Sequence, residues 1–216
     1  RYRQRLSIGP WRRTRVDRPR GLAMAPTSPL KAVCFDMDGV IVDSEPVHYE
    51  ADRLAMAAHN VKFTFENKKA NYIGRTVQGT MFELAEVHEI PDPERLLQER
   101  QDIFLKLIGT QLALRDGLRE LLTALSERSV PCALVTSGSR WYIDNVFDRF
   151  ELRPFFAGMI GVEDVSAHKP LPDPYLAGAR LLGVDPESCL AVEDSTAGVA
   201  SAKAAGMYCI AAPSEM

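Results

Sequence analysis

The sequence has no long hydrophobic run and few cysteines. None of its apolar runs approaches the roughly 18 residues that a membrane-spanning helix needs, so we expect no membrane contact. The cysteines fit neither a zinc site nor a disulfide framework, and each lies in an apolar run where it would be a small buried side chain. They are Cys34, Cys132, Cys189 and Cys209. Free thiols are typical of a reducing compartment, so we expect a cytoplasmic protein.

Positive charge is scarce outside the first 30 residues. Residues 1–30 contain eight arginines, no lysine and one acid, Asp17, a net charge of +7. Since the whole chain has a formal net charge of −3, residues 31–216 carry −10. An acidic body of this kind lacks the basic groups that neutralise nucleic-acid phosphates, so we expect no nucleic-acid partner. The Arg-rich leader has the composition of a disordered extension, of a basic tail or of an organelle-import peptide.

Five short apolar runs recur along the chain and are predicted to be strands. They are residues 31–36, 131–136, 158–162, 188–193 and 207–211. Most of them precede a segment of helical periodicity, an alternation typical of a parallel sheet with helices on its faces. We therefore predict an α/β fold with a Rossmann-like core formed by residues 31–45 and 115–216.

The long interval between the first two predicted strands, residues 46–114, contains no convincing strand. Helical periodicity appears at about residues 45–59, 76–89 and 92–113. Ser44 and Thr76 are the predicted N-caps of the first two helices. Lys62, Lys68 and Lys69 fall in a polar run between these helices that is predicted to be solvated.

Residues 33–45 carry the clearest chemical signal. The first apolar run ends at Asp36, and Asp38 and Gly39 follow at the predicted strand's carboxyl end, where open α/β sheets place their ligands. Side chains two apart on an extended chain share a face, so the two carboxylates would repel each other unless a cation lies between them. The pair favours Mg²⁺, which prefers oxygen ligands. The alternative is an ordinary Asp-x-Asp-Gly surface turn.

Polar groups follow three of the other predicted strands. Thr136 and Ser137 precede a predicted helix and form either an anion cradle or a simple N-cap. Lys169 would neutralise a phosphate or a pair of carboxylates, or be a solvated surface lysine. Glu193 and Asp194 directly follow a buried strand and could complete a metal site begun by the first acidic pair.

The order of these four clusters resembles the haloacid dehalogenase-like phosphotransferase superfamily, and more closely its phosphatase and β-phosphoglucomutase branch. The resemblance covers residues 31–212 and includes the strings Lys-Pro-x-Pro-Asp-Pro-Tyr and Glu-Asp-Ser-x-Ala-Gly. It implies a helical cap at residues 46–114, and an expected truncation at Met216 because family members usually continue further. The implied roles are a nucleophile (Asp36), a general acid/base (Asp38), phosphate ligands (Thr136, Ser137, Lys169) and Mg²⁺ ligands (Asp36, the main-chain carbonyl of Asp38, Asp194, and Glu193 acting through water).

The implied activity is a Mg²⁺-dependent phosphatase that hydrolyses a sugar or polyol phosphate through an aspartyl-phosphate intermediate. Arg75, in a loop between cap helices, would contact the substrate or face solvent. A β-phosphoglucomutase-like hexose-phosphate mutase is the alternative enzyme, although Arg75 follows Gly74 directly and this spacing favours the phosphatase. A catalytically idle binding protein is the alternative of another class. The expected partner is a small-molecule phosphate ester, and the expected state is a monomer or weak dimer.

Overall fold

The structure is a computed structural model that describes residues 29–72 and 76–212. Most of the leader predicted for residues 1–30 therefore lies outside the described residues, and so does the predicted substrate residue Arg75. The strands are β1 (Ala32–Phe35), β2 (Val42–Asp43), β3 (Ala113–Leu114), β4 (Cys132–Val135), β5 (Gly158–Ile160), β6 (Cys189–Glu193) and β7 (Tyr208–Ala211). The helices are α1 (Glu45–Ala58), α2 (Phe65–Asn71), α3 (Val77–Val87), α4 (Pro93–Gln111), α5 (Leu118–Glu127), α6 (Arg140–Arg149), α7 (Asp173–Leu182) and α8 (Thr196–Ala204). Short 3-10 turns occur at Arg153–Phe155, Val162–Asp164 and Pro186–Ser188.

Five strands form one parallel sheet in the order β5-β4-β1-β6-β7. The central strand β1 is apolar and buried along its whole length, as expected where helices cover both faces of a parallel sheet. Its side chains alternate between two apolar clusters because successive residues point to opposite faces. Val33 and Phe35 belong to one cluster, and Ala32 and Cys34 to the other. The predicted α/β fold with a Rossmann-like parallel sheet is confirmed.

A second, two-stranded sheet lies where helices α1–α4 leave and rejoin the main fold. Strands β2 and β3 are antiparallel, with Val42 opposite Leu114 and Asp43 opposite Ala113. Helices α1–α4, here called the helical insert, lie between these two strands in the chain. Helices α1, α3 and α4 share a third apolar cluster that includes Met56, Met81 and Leu84. Strands of two residues leave no periodic signal, which is why the sequence did not predict them.

Helix α2 was also missed, and with it the environment of Lys68. Thr64 caps this helix by accepting a hydrogen bond from the backbone N–H of Asn67. Lys68 is buried rather than solvated: its Nζ lies 2.9 Å from Oδ2 of Asp52 and 3.2 Å from Oε1 of Glu45. The prediction for Lys68 was wrong because its partners come from α1, and a polar run gives no sign of contacts with another helix.

Thr76 caps α3 as predicted, whereas Ser44 at the start of α1 makes no side-chain cap hydrogen bond. The described cysteines are free thiols, three of them buried and Cys209 partly so.

No helix among the described residues combines the length and the apolar character needed to cross a membrane.

Candidate active site

The site is built where three neighbouring strands end. Asp36 directly follows β1, Thr136 directly follows β4, and Glu193 is the last residue of β6. Because β1 lies between β4 and β6 and all three run parallel, their carboxyl ends form one edge of the sheet. The backbone N–H of Asp36 donates to the carbonyl of Val192 across this edge, at 3.0 Å, and so fixes the start of the loop that follows β1.

Lys169 joins all three of these strand ends through its ammonium group. Its Nζ donates to Oδ1 of Asp36 at 2.6 Å, to Oε1 of Glu193 at 2.6 Å and to the carbonyl of Val135 at 2.9 Å. The side chain is only 6% exposed, which rules out a solvated surface lysine. An ammonium has three N–H groups, and all three are used here. A phosphoryl oxygen would therefore have to replace one of these acceptors before it could bind Lys169.

Glu193 is fully buried and its carboxylate is saturated by donors. Oε1 accepts from Lys169 and from the hydroxyl of Tyr175 at 2.8 Å. Oε2 accepts from the backbone N–H of Asp194 at 3.1 Å and from the N–H and hydroxyl of Ser195 at 3.2 and 3.1 Å. A buried carboxylate with this many partners holds Lys169 and the turn after β6 in place, and it has little capacity left for a direct metal bond.

Three carboxylates lie close enough together to hold one ion. Oxygens of Asp36, Glu193 and Asp194 lie within 4.8 Å of one another, and Glu193, whose oxygens already accept hydrogen bonds, would act on such an ion through water. Gly39 makes this approach possible: it has a φ of +74°, and a Cβ on it would lie 2.0 Å from Oδ2 of Asp194. A donor set made only of carboxylate oxygens suits a hard divalent cation.

The electrostatics of the site indicate a shortage of positive charge. Burial raises the pKa of Asp36 to about 7, with the nearby Glu193 and Asp38 adding to the rise and Lys169 opposing it. Burial raises the pKa of Asp194 to about 6, and the same two carboxyls contribute. Four carboxyl groups thus face one ammonium, and a divalent cation among them would stabilise their ionised forms.

The carboxylate of Asp38 is held apart from the group of three. It accepts a hydrogen bond from the hydroxyl of Tyr142 at 2.8 Å and a second from Ser44. Burial raises the pKa of Asp38, and these two hydrogen bonds oppose the rise. With the side chain engaged in this way, the main-chain carbonyl is the part of Asp38 that remains for an ion, as the resemblance implied. Tyr142 lies 104 positions away along the chain, so no local pattern could have revealed it.

The predicted phosphate ligands after β4 differ in their surroundings. Thr136 is buried, and its hydroxyl oxygen accepts the backbone N–H of Gly138 at 3.0 Å, which leaves the hydroxyl hydrogen free to donate. Ser137 is exposed beside it. Ser139 is the cap of α6, where its hydroxyl accepts the backbone N–H of Tyr142 at 3.4 Å. The hydroxyls of Thr136 and Ser137 therefore lie at the same sheet edge as Asp36. Arg75 lies outside the described residues.

Comparison with known proteins gives consistent matches. Phosphorylated carbohydrates phosphatase from Thermotoga maritima is 32% identical over 183 residues, which cover 82% of this chain and 82% of that protein. Hexitol phosphatase B from Escherichia coli strain K12 is 29% identical over 184 residues, covering 84% of this chain and 83% of that protein. The solved structure of CbbY from Rhodobacter sphaeroides in complex with phosphate has a TM-score of 0.70 at 25% identity, covering 86% of this chain and 87% of that one.

A family model agrees with these individual matches. The model described as haloacid dehalogenase-like hydrolase matches residues 33–212, which include every strand of the parallel sheet except the first residue of β1. The matched residues also include the acidic strand ends, Lys169 and the helical insert. With this fold, this sheet edge and these relatives, the chain belongs to the haloacid dehalogenase-like hydrolase family.

Proposed function

We propose that the protein is a Mg²⁺-dependent phosphatase that hydrolyses a sugar or polyol phosphate through an aspartyl-phosphate intermediate. The observation that carries the proposal is the meeting of Asp36, Lys169 and Asp194 at one sheet edge, with carboxylate oxygens within 4.8 Å. Two relatives support the substrate class, since one is named phosphorylated carbohydrates phosphatase and the other hexitol phosphatase B.

In the first step Asp36 attacks the phosphorus atom of the ester. Lys169 fixes Oδ1 of Asp36, while Oδ2 has no hydrogen-bond donor among the residues that the structure describes and is the attacking oxygen. A bond forms between Oδ2 and phosphorus as the bond to the ester oxygen breaks. Asp38 gives its proton to the departing alkoxide, and Tyr142 and Ser44 hold its carboxyl group for that transfer. The hydroxyls of Thr136 and Ser137 bind the phosphoryl oxygens.

In the second step water releases the phosphate. Asp38, now ionised, takes a proton from a water molecule as that water attacks the phosphorus of the aspartyl phosphate. The bond to Asp36 breaks and the carboxylate is regenerated. A Mg²⁺ ion held by Asp36, Asp194 and the main-chain carbonyl of Asp38 would neutralise charge on the phosphoryl oxygens.

The test is phosphate release from sugar, polyol, nucleotide and glycolate phosphates, with and without Mg²⁺. Asp36→Asn should lower Mg²⁺-dependent turnover by about 10³-fold or more, because the nucleophile is lost. Asp116→Asn, on the exposed turn before α5, is the matched control and should leave turnover unchanged. Unchanged phosphate release by Asp36→Asn would refute the proposed nucleophile. Interconversion of sugar phosphates primed by a trace of bisphosphate, without net phosphate release, would instead identify a mutase.

A further inference from the structure

A cavity of about 420 Å³ lies between the helical insert and helix α6. We call it the α4–α6 cavity, and its wall includes Arg100, Gln101 and Phe104 from α4 and Ser139, Trp141 and Tyr142 from the start of α6. Tyr142 connects this wall to the proposed chemistry, because its hydroxyl donates to Asp38 at 2.8 Å. Tyr142 therefore lies between a group bound in the cavity and Asp38, the proposed proton donor.

The wall is rich in aromatic surface, and one aromatic side chain is unusually exposed. Phe104 and Tyr142 are each 8% exposed and meet edge to face, with ring centroids 5.7 Å apart, so they form a fixed wall. Trp141 is 49% exposed, although a side chain of its size is ordinarily well buried. A large aromatic side chain left open at a cavity edge offers a flat apolar surface on which a ligand ring can stack.

The wall carries no uncompensated charge among the residues that the structure describes. Arg100 is its one described cation, and its side chain is only 3% exposed. Nε of Arg100 donates to Oδ1 of Asp52 at 2.8 Å, and Nη2 donates to Nδ1 of His48 at 2.7 Å. Asp52 is thus the anionic partner of this cation, and the other polar side chains of the wall are neutral, namely the amides of Gln98 and Gln101 and the hydroxyls of Ser139 and Tyr142. Such a wall suits an uncharged ligand with a flat apolar face and polar edges.

We propose that the α4–α6 cavity binds the alcohol part of the substrate, and that this part contains an uncharged ring that stacks on Trp141. The inference rests on the proposed phosphatase function and narrows it. A ring buries one face against the indole while its edge groups hydrogen-bond to Gln101 and Ser139. An open-chain polyol has no such face and loses more torsional freedom on binding. A second phosphate would enter a wall that offers it no unpaired cation among the described residues.

The test compares substrates that differ in one property. Glucose 6-phosphate and sorbitol 6-phosphate have the same number of carbons, but only the first forms a ring. Uridine 5′-monophosphate offers a heterocycle, fructose 1,6-bisphosphate adds a second phosphate, and acetyl phosphate is too small to fill the cavity. We expect kcat/KM for glucose 6-phosphate or uridine 5′-monophosphate to exceed that for sorbitol 6-phosphate by about 10-fold or more. Whichever of the two is preferred identifies the ring as a sugar or a heterocycle.

Two variants separate stacking from a general effect on the enzyme. Trp141→Ala should lower kcat/KM for the preferred ring substrate by roughly 10- to 100-fold, mainly through KM, with a much smaller loss for acetyl phosphate hydrolysis. Leu121→Ala removes an apolar side chain on α5 that is 46% exposed and does not line the cavity, and it should change neither reaction.

The outcomes distinguish the two proposals. If none of these substrates is hydrolysed with Mg²⁺, the phosphatase proposal fails, and the ring inference fails with it. If phosphate is released but sorbitol 6-phosphate or the bisphosphate is the preferred substrate, only the ring inference is overturned. An equal effect of Trp141→Ala on ring substrate and acetyl phosphate would overturn it as well.

Discussion

Removing Asp52 should destabilise the helical insert more than any surface substitution on the same helix. Asp52 on α1 lies between Lys68 of α2 and Arg100 of α4, at 2.9 and 2.8 Å. The three side chains are between 3% and 8% exposed. Asp52→Ala would leave Arg100 buried without its anionic partner, while Lys68 would keep Glu45 at 3.2 Å. Breaking a buried ion pair from one side typically costs about 3–5 kcal/mol, because the remaining charge stays buried and uncompensated.

The expected free energy of unfolding therefore falls by about 3–5 kcal/mol. For a chain of this size each kcal/mol shifts Tm by roughly 2–4 °C, so we expect a Tm lower by about 6–20 °C. The assay is urea and thermal unfolding followed by circular dichroism. The matched control is Glu50→Ala, also on α1, which breaks an ion pair with Arg53 whose side chains are 27% and 40% exposed. Exposed pairs contribute about 0–1 kcal/mol. Equal losses in the two variants would refute the assignment of a buried ionic contribution to Asp52.

Two further predictions concern the site and its supports. Lys169 opposes the rise in the pKa of Asp36, so Lys169→Met should lower kcat/KM for phosphate release by about 10²–10³-fold. The control is Lys203→Met, which replaces an exposed lysine on α8 and should leave kcat/KM unchanged. The pKa of His48 is held well below its usual range, mainly by burial and then by neighbouring cations. Below about pH 6.5 the unfolded chain therefore binds a proton at His48 that the folded protein does not, so the contribution of His48 to the free energy of unfolding should decrease, as the pH is lowered, by up to about 1.4 kcal/mol per pH unit. His48→Gln should remove this contribution from the pH dependence measured by urea unfolding between pH 7 and pH 5, whereas His88→Gln, at the exposed end of α3, should retain it.

The strands of the parallel sheet could be predicted because their signal is local. The apolar runs at residues 31–36 and 131–136 became β1 and β4, with bounds that differ by one residue. The positions of Asp36 and Asp194 followed from the runs at residues 31–36 and 188–193, because residues after parallel strands share one edge of the sheet.

Contacts between helices could not be predicted in this way. Tyr142 reaches Asp38, and Lys68 reaches Asp52, only because α6 packs beside the loop after β1 and α2 beside α1. The angle and depth of such packing depend on the whole set of apolar side chains between the helices, and no single run of residues encodes them. The hydrogen bond from the hydroxyl of Tyr175 to Glu193 is a third example, because the apolar surroundings of Tyr175 gave no sign of a polar contact.

The short ribbon of β2 and β3 affects how the length of the helical insert can vary within the family. Val42 and Leu114 lie opposite each other, so the helical insert begins and ends at one pair of strands, although about 70 residues separate these two positions. The entropy of closing that excursion grows only slowly with its length. Residues gained or lost in the middle of the helical insert should therefore leave the β2–β3 pairing, and the proposed nucleophile near it, in place. Residues of the helical insert can therefore change, and substrate specificity with them, while the residues at the strand ends stay the same.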